Sequence, residues 1–104
     1  MKEIKILIPS MEPGGPNAKV YPHWEAKVIT IATVNEKGVN YKVIVRNEEL
    51  IVSIAKKEKV SYAIAKSIST RAIELMEKIG VKVCTGKFDT VSEALEKFLK
   101  GELY

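Results

Sequence analysis

One cysteine, one histidine, one aspartate, one tryptophan and no glutamine occur in a chain of 104 residues, and each scarcity closes off some chemistry. Cys84 alone cannot form an internal disulfide, and it excludes a structural zinc site built from the cysteines of one chain. An iron-sulfur cluster ordinarily takes a full set of thiolates, so this cysteine cannot hold one unaided. His23 and Cys84 stand at unrelated positions with no local motif around either, which leaves a catalytic triad or a Cys-His pair without support. Two-metal hydrolysis needs several converging carboxylates, whereas Asp89 is the sole aspartate and Glu3 the sole carboxylate of the opening segment. No catalytic residue is therefore assigned, and the chain is expected not to be an enzyme. No apolar run approaches the roughly 20 residues of a membrane helix, and Lys2, Glu3 and Lys5 interrupt the isoleucines at the start. Neither a membrane span nor a signal peptide is predicted, and a cytoplasmic location is expected. The lack of glutamine in a lysine- and glutamate-rich sequence points to a thermophile source.

What is present is ordinary for a globular protein: 46% hydrophobic and 29% charged residues. At this length one core closes but not two, so residues 1–104 are expected to form one domain. The formal net charge is +4, but the lysines are spread along the chain and interleaved with glutamates. Only Lys56-Lys57-Glu58-Lys59 forms a local knot, with no aromatic stripe beside it, and nucleic acid is not an expected partner.

The elements follow from periodicity. Ile4, Ile6 and Ile8 alternate with Lys5 and Leu7, which predicts a central strand that Pro9 should end. Pro9 to His23 then holds all four prolines with Gly14 and Gly15, a composition that suits neither helix nor ladder strand. So long a connection in a small domain is either functional or mobile. Glu25–Val34 and Val39–Arg46 read as strands of a hairpin around Asn35-Glu36-Lys37-Gly38. Asn47 is expected to cap a helix from Glu48 to Lys57 with Leu50, Ile51, Ile54 and Ala55 facing inward. A short strand, Val60–Ala65, follows. Ser69 is the predicted N-cap of a helix to Ile79 that carries Ala72, Ile73, Met76 and Ile79 on one face, with Ile68 stapled on Ile73. Gly80 stops it, and Val81–Cys84 is the last strand.

Thr90-Val91-Ser92-Glu93 is a capping box, in which the Thr90 hydroxyl takes the Glu93 amide and the Glu93 carboxylate reaches back to the amide of Thr90. Val91, Ala94, Leu95, Phe98 and Leu99 then form one apolar stripe, and Gly101 follows as the C′ residue. The run Arg71-Ala72-Ile73-Glu74-Leu75-Met76-Glu77-Lys78-Ile79-Gly80-Val81-Lys82-Val83, continued by Thr90 to Leu103, resembles the C-terminal half of the dinitrogenase iron-molybdenum cofactor biosynthesis family. That resemblance implies an α/β domain of ribonuclease H-like arrangement, with a mixed five-stranded sheet of order 3-2-1-4-5. It also implies a non-catalytic carrier or accessory protein that binds an iron-sulfur-type cluster or its precursor. Its partners would be metallocluster donor and acceptor proteins, and it would act as a monomer or homodimer.

In a sheet of that order the first and fourth strands are neighbours with divergent connections, a switch point where ligands favour the crevice at the strand ends. The Pro9–His23 loop, the Lys66–Thr70 turn and the Thr85–Asp89 segment are expected to converge there, placing Ser10, Asn17, His23, Trp24, Lys66, Ser67, Ser69 and Arg71 at the site. The resembled family has His-Phe-Gly before the second strand; His23-Trp24-Glu25 keeps the histidine and an aromatic but not the glycine. His23 is thus a candidate iron ligand, and Cys84 a candidate thiolate ligand. The family's glycine-rich turn after the fourth strand is replaced by Lys66-Ser67-Ile68-Ser69-Thr70-Arg71. Those residues at a helix N-terminus make an alternative site for a small anion, a phosphate- or carboxylate-bearing metabolite. A third reading makes the Pro-rich loop, with Tyr21 and Trp24, a protein-recognition surface.

Overall fold

A computed structural model describes residues 3–104. The chain runs β1 (Ile4–Ser10), β2 (Val28–Asn35), β3 (Gly38–Val45), α1 (Ile51–Glu58), β4 (Tyr62–Ile64), α2 (Thr70–Lys78), β5 (Lys82–Cys84) and α3 (Val91–Leu99). The strands form one sheet in the order β3-β2-β1-β4-β5, the expected order. β2 is antiparallel to both of its neighbours, while β1, β4 and β5 run parallel. The β2–β3 hairpin turns at Glu36-Lys37, where the Asn35 Oδ1 accepts the Lys37 amide at 2.8 Å and Gly38 takes a φ of 131°.

Strand alternation sorts the core onto two faces. On one face Leu7, Ile29, Ile31 and Ala63 pack under α1 and α2, meeting Ile51, Ile54, Ala55 and Met76. On the other, Ile6, Ile8, Ala32 and Ile64 pack under α3, meeting Val91, Ala94 and Leu95, with Val20 and Phe88 joining from loops. Ile6, Leu7 and Ile8 are fully buried, and burial of such side chains contributes about 1.5–3 kcal/mol each. A central strand needs apolar residues on both faces, and β1 has them.

Several boundaries differ from the sequence reading, each for a local reason. Pro9 does not end β1. It pairs with Ile29 and lies beyond the two residue pairs, Ile6 with Tyr62 and Leu7 with Ala63, that β1 shares with β4. Its missing amide therefore takes nothing from that ladder, and its carbonyl accepts the Tyr21 amide at 2.9 Å. Asn47 does not cap a helix: it sits in the left-handed region at φ 53°, and α1 begins at Ile51 after Leu50, whose side chain makes no cap. The Arg46 guanidinium holds this stretch out of the helix by donating to the carbonyls of Ala26 at 2.7 Å and Glu49 at 2.9 Å. Leu50, expected inside, is exposed. β2 starts at Val28 rather than Glu25, and β4 is limited to three residues.

The ends of α2 and α3 follow the sequence closely. Ser69 Oγ accepts the Ala72 amide, and Thr90 Oγ1 accepts the Glu93 amide, both at 3.2 Å. The Glu93 carboxylate reaches one residue further than a capping box requires, accepting the amide of Asp89 at 2.7 Å. At the other end of α3, the amides of Gly101 and Glu102 donate to Phe98 and Lys97, a Schellman closure with Gly101 at φ 73°. Leu99 leaves the apolar stripe and is exposed.

Candidate functional site

The parallel strands β1, β4 and β5 bring their C-terminal ends, Ser10, Ile64 and Cys84, to one edge of the sheet. The loop after β1 does not hang free over this edge. Lys19 to Tyr21 returns along the end of β1: Met11 donates to the Lys19 carbonyl and Tyr21 to that of Pro9, both at 2.9 Å. The opposite side of the same segment meets the start of α3, where Val20 donates to Asp89 at 2.8 Å and Lys19 pairs with Thr90. Further back, the carbonyls of Ala18 and Pro16 accept the amides of Val91 and Ser92. The first-turn amides of α3, which would otherwise invite an anion, are thus taken up by the loop and by Thr90.

Ser10 and Thr30 fix the loop to the sheet from beneath. Both are buried, and their oxygens lie 2.8 Å apart. Ser10 Oγ is also 2.8 Å from the Ile8 carbonyl, and Thr30 Oγ1 accepts the Gly15 amide at 3.1 Å. The single Ser10 proton is shared between the Thr30 hydroxyl and the Ile8 carbonyl, and Thr30 Oγ1 accepts from both Ser10 and the Gly15 amide. The Ser10 side chain therefore serves the fold, and only its surroundings border a cavity.

That cavity, about 320 Å³, is lined by Ser10, Met11, Glu12, Tyr21, Lys27 and Val28. It adjoins a second hollow of about 480 Å³ within the loop, which shares Met11 and Glu12 and reaches Asn17. His23 is exposed and stands edge-on to Tyr21, with ring centroids 5.9 Å apart and planes at 70°. His23 thus stands against Tyr21, Asn17 borders the adjoining hollow, and Tyr21 lines the cavity at the end of β1 with Met11, Glu12 and Lys27. The last three were not singled out from sequence, although the pairing of Ser10 with Val28 puts Lys27 next to the end of β1.

The other candidates lie elsewhere or are occupied. Trp24 is only 8% exposed and belongs to the core under α1 and α2, beside a narrow apolar groove of about 110 Å³ that includes Leu50, Leu75 and Met76. It is therefore not a presented recognition residue. Ser69 is engaged as a cap. Lys66 and Ser67 are exposed on the turn after β4. Arg71 borders an open hollow of about 580 Å³ on the outer side of α2, with Glu74, Leu75, Glu77 and Lys78. Its position follows from helical geometry, because Ala72, Met76 and Ile79 turn the opposite side of α2 to the core. Cys84 is 6% exposed. Burial pushes its thiol upward, with nearby Lys82 pulling weakly the other way, so the thiolate that would bind iron is disfavoured.

The donor set does not fit a bare metal ion: among the described residues no group of three or more histidine, cysteine, aspartate or glutamate side chains could hold one. The hollow at the end of β1 is lined instead by a thioether (Met11), a cation (Lys27) and one carboxylate (Glu12), with the exposed His23 imidazole edge-on to its Tyr21.

A mixed sheet in the order 3-2-1-4-5 with three helices on its faces defines a class of small α/β domain, here with a histidine on the loop between β1 and β2. The chain belongs to the dinitrogenase iron-molybdenum cofactor family, whose profile matches residues 5–101. It is 26% identical to "a putative dinitrogenase" from Methanocaldococcus jannaschii, with a TM-score of 0.79 over 100% of this chain and 95% of that one. It is 25% identical to "a putative NifB protein" from Thermotoga, with a TM-score of 0.78 over 96% of this chain and 90% of the other. The apo form of the orange protein from Desulfovibrio gigas shares the fold at 17% identity, with a TM-score of 0.79 over 96% and 90% of the two chains. No curated protein matches the chain. Family membership connects the chain with this cofactor in an accessory capacity. No helix among the described residues is long and apolar enough to cross a membrane.

Proposed function

We propose that residues 1–104 act as one non-catalytic carrier domain in the cytoplasm that takes up a preassembled iron-sulfur-type cluster, or a precursor of one, as cargo. The cargo passes between donor and acceptor proteins. The observation that carries this reading is His23, exposed and edge-on to Tyr21, a residue that lines the hollow at the end of β1. A cluster whose irons are largely ligated by its own sulfide needs few protein donors, and a neutral imidazole supplies one. Lys27 offsets part of the negative charge of such a cargo, and the loop's many backbone bonds keep the hollow open in its absence. Cys84 takes no part in this contact.

The test is anaerobic exposure of the protein and of His23→Ala to preformed clusters, followed by desalting and analysis of iron, sulfide and visible absorption. Retained iron and sulfide in stoichiometric amount, reduced in His23→Ala, supports the carrier. If no cluster source leaves iron on the protein, the small-anion reading of Lys66, Ser67, Ser69 and Arg71 takes precedence, with stabilisation by phosphate as its own check.

A further inference from the structure

β3 is the outermost strand of the sheet on its side, and among the described residues no other element pairs with it beyond β2. The Arg46 amide donates to the Lys27 carbonyl, and the two-residue hairpin fixes the phase of the ladder: Asn40, Lys42 and Ile44 exchange bonds with β2. The amides and carbonyls of Val39, Tyr41, Val43 and Val45 therefore point away from the sheet. The same four residues present their side chains on the face that α3 fails to cover at this edge. Val39, Val43 and Val45 are 38%, 43% and 64% exposed. Unpaired backbone and exposed apolar side chains thus coincide on one row. Protein edges are normally blunted with charge, proline or a bulge, and this row has none of these.

The charges of β3 lie on the other face and are engaged. Lys42 is bound to Glu58 at 3.0 Å, and Arg46 to the Ala26 and Glu49 carbonyls. A partner for the free row must be an apolar strand with little charge on the matching face. We propose that it is a second copy of this chain, its β3 laid antiparallel to the first and centred on Val43. In this register Val43 meets Val43 of the other copy, and Tyr41 meets Val45 in both directions, so the most exposed valine is covered by an aromatic ring. Shifting the centre to Lys42 would oppose Lys42 to itself, like against like. Shifting it to Tyr41 would leave Val45 opposite Lys37. The Val43 register pairs apolar with apolar along the row and opposes no like charges within the strand, and it joins the two sheets into one.

Sedimentation equilibrium of the full chain from micromolar to millimolar concentration tests the proposal. The expected result is reversible association towards twice 11.6 kDa. Val45→Lys weakens it by at least about tenfold, because each copy then sets an ammonium against Tyr41. Leu99→Lys, at an exposed leucine on α3, leaves the association unchanged. Thermal unfolding at low concentration verifies that both variants are folded. A wild-type chain that stays at 11.6 kDa throughout overturns the proposal and leaves the edge to a foreign strand. Association that survives Val45→Lys, or that Leu99→Lys abolishes, overturns it as well.

Discussion

The hydroxyls of Ser10 and Thr30 meet at 2.8 Å across the β1–β2 ladder, two residues out of register, since Ser10 pairs with Val28 and Thr30 with Ile8. This diagonal contact lies beneath the loop, and through the Gly15 amide it decides where the loop rests on the sheet. Thr30→Val removes the middle of the relay while keeping the shape of the side chain, leaving the Gly15 amide and the Ser10 hydroxyl short of a buried partner. The expected loss is about 1–3 kcal/mol in urea unfolding, together with faster hydrogen exchange at Gly15. Thr30→Ser, which keeps the hydroxyl, should lose clearly less. Equal losses in the two variants would mean that the relay does not hold the loop.

At the start of α3, Glu93 ties down the Asp89 amide and Thr90 that of Glu93. Thr90→Ala is expected to cost about 1 kcal/mol of unfolding free energy. Because the Ala18 and Pro16 carbonyls dock on the same helix turn, the amides of Val91 and Ser92 should lose protection with it. Unchanged exchange at these two amides would show that the loop is seated independently of the cap.

Gly86 sits under the end of the chain. A Cβ there would come within 2.5 Å of Leu103 Cδ2, and Thr85 exchanges both backbone bonds with Tyr104, at 3.1 and 2.9 Å. Since the obstacle is the far end of a flexible side chain, Gly86→Ala should displace the tail rather than unfold the protein. The predicted signs are a stability loss of about 1 kcal/mol and freer exchange at Thr85 and Tyr104. A tail that stays paired would contradict this.

Burial raises the pKa of both the Cys84 thiol and the Tyr41 phenol. The unfolded chain therefore releases these protons at lower pH than the folded one. Their contribution to stability is complete below the unfolded values and is lost as pH rises from there towards the folded ones. For Cys84 the decline starts near its ordinary value of 9.0, and Cys84→Ala should flatten that part of the stability–pH curve. Alkylation of the folded protein at pH 8 should be much slower than that of the unfolded chain. A thiol that reacts equally fast in both states would refute the burial account.

The hairpin turn and the helix ends were legible because they rest on local chemistry: the Thr90 box, the Ser69 cap, Gly38 and Gly101 all act within a few residues, whereas the strand order came from the family resemblance. Asn47 misled for the complementary reason. Its side chain suits an N-cap, but the guanidinium of Arg46 reaches a carbonyl of the preceding loop, a tertiary bond that no local pattern displays. The candidate site divides in the same way. His23 stood out through family resemblance, and Arg71 could have been assigned to the outer side of α2 from the spacing of Ala72, Met76 and Ile79. Met11 and Lys27 reach the hollow only through the register of β1 with β2 and the return of Lys19–Tyr21 along β1. The Pro-rich composition announced a long loop but not that Val20 would be bonded on both sides.

The central claim is that a preassembled cluster docks beside His23 at the end of β1. It is tested most directly by anaerobic titration of the 15N-labelled chain with a preformed paramagnetic iron-sulfur cluster, followed amide by amide. The account predicts broadening confined to the amides of Met11, Glu12, Tyr21, His23 and Lys27, with those of Arg71 to Lys78 on α2 left sharp. Broadening centred on Lys66 to Arg71, or none at all at saturating cluster, would contradict it.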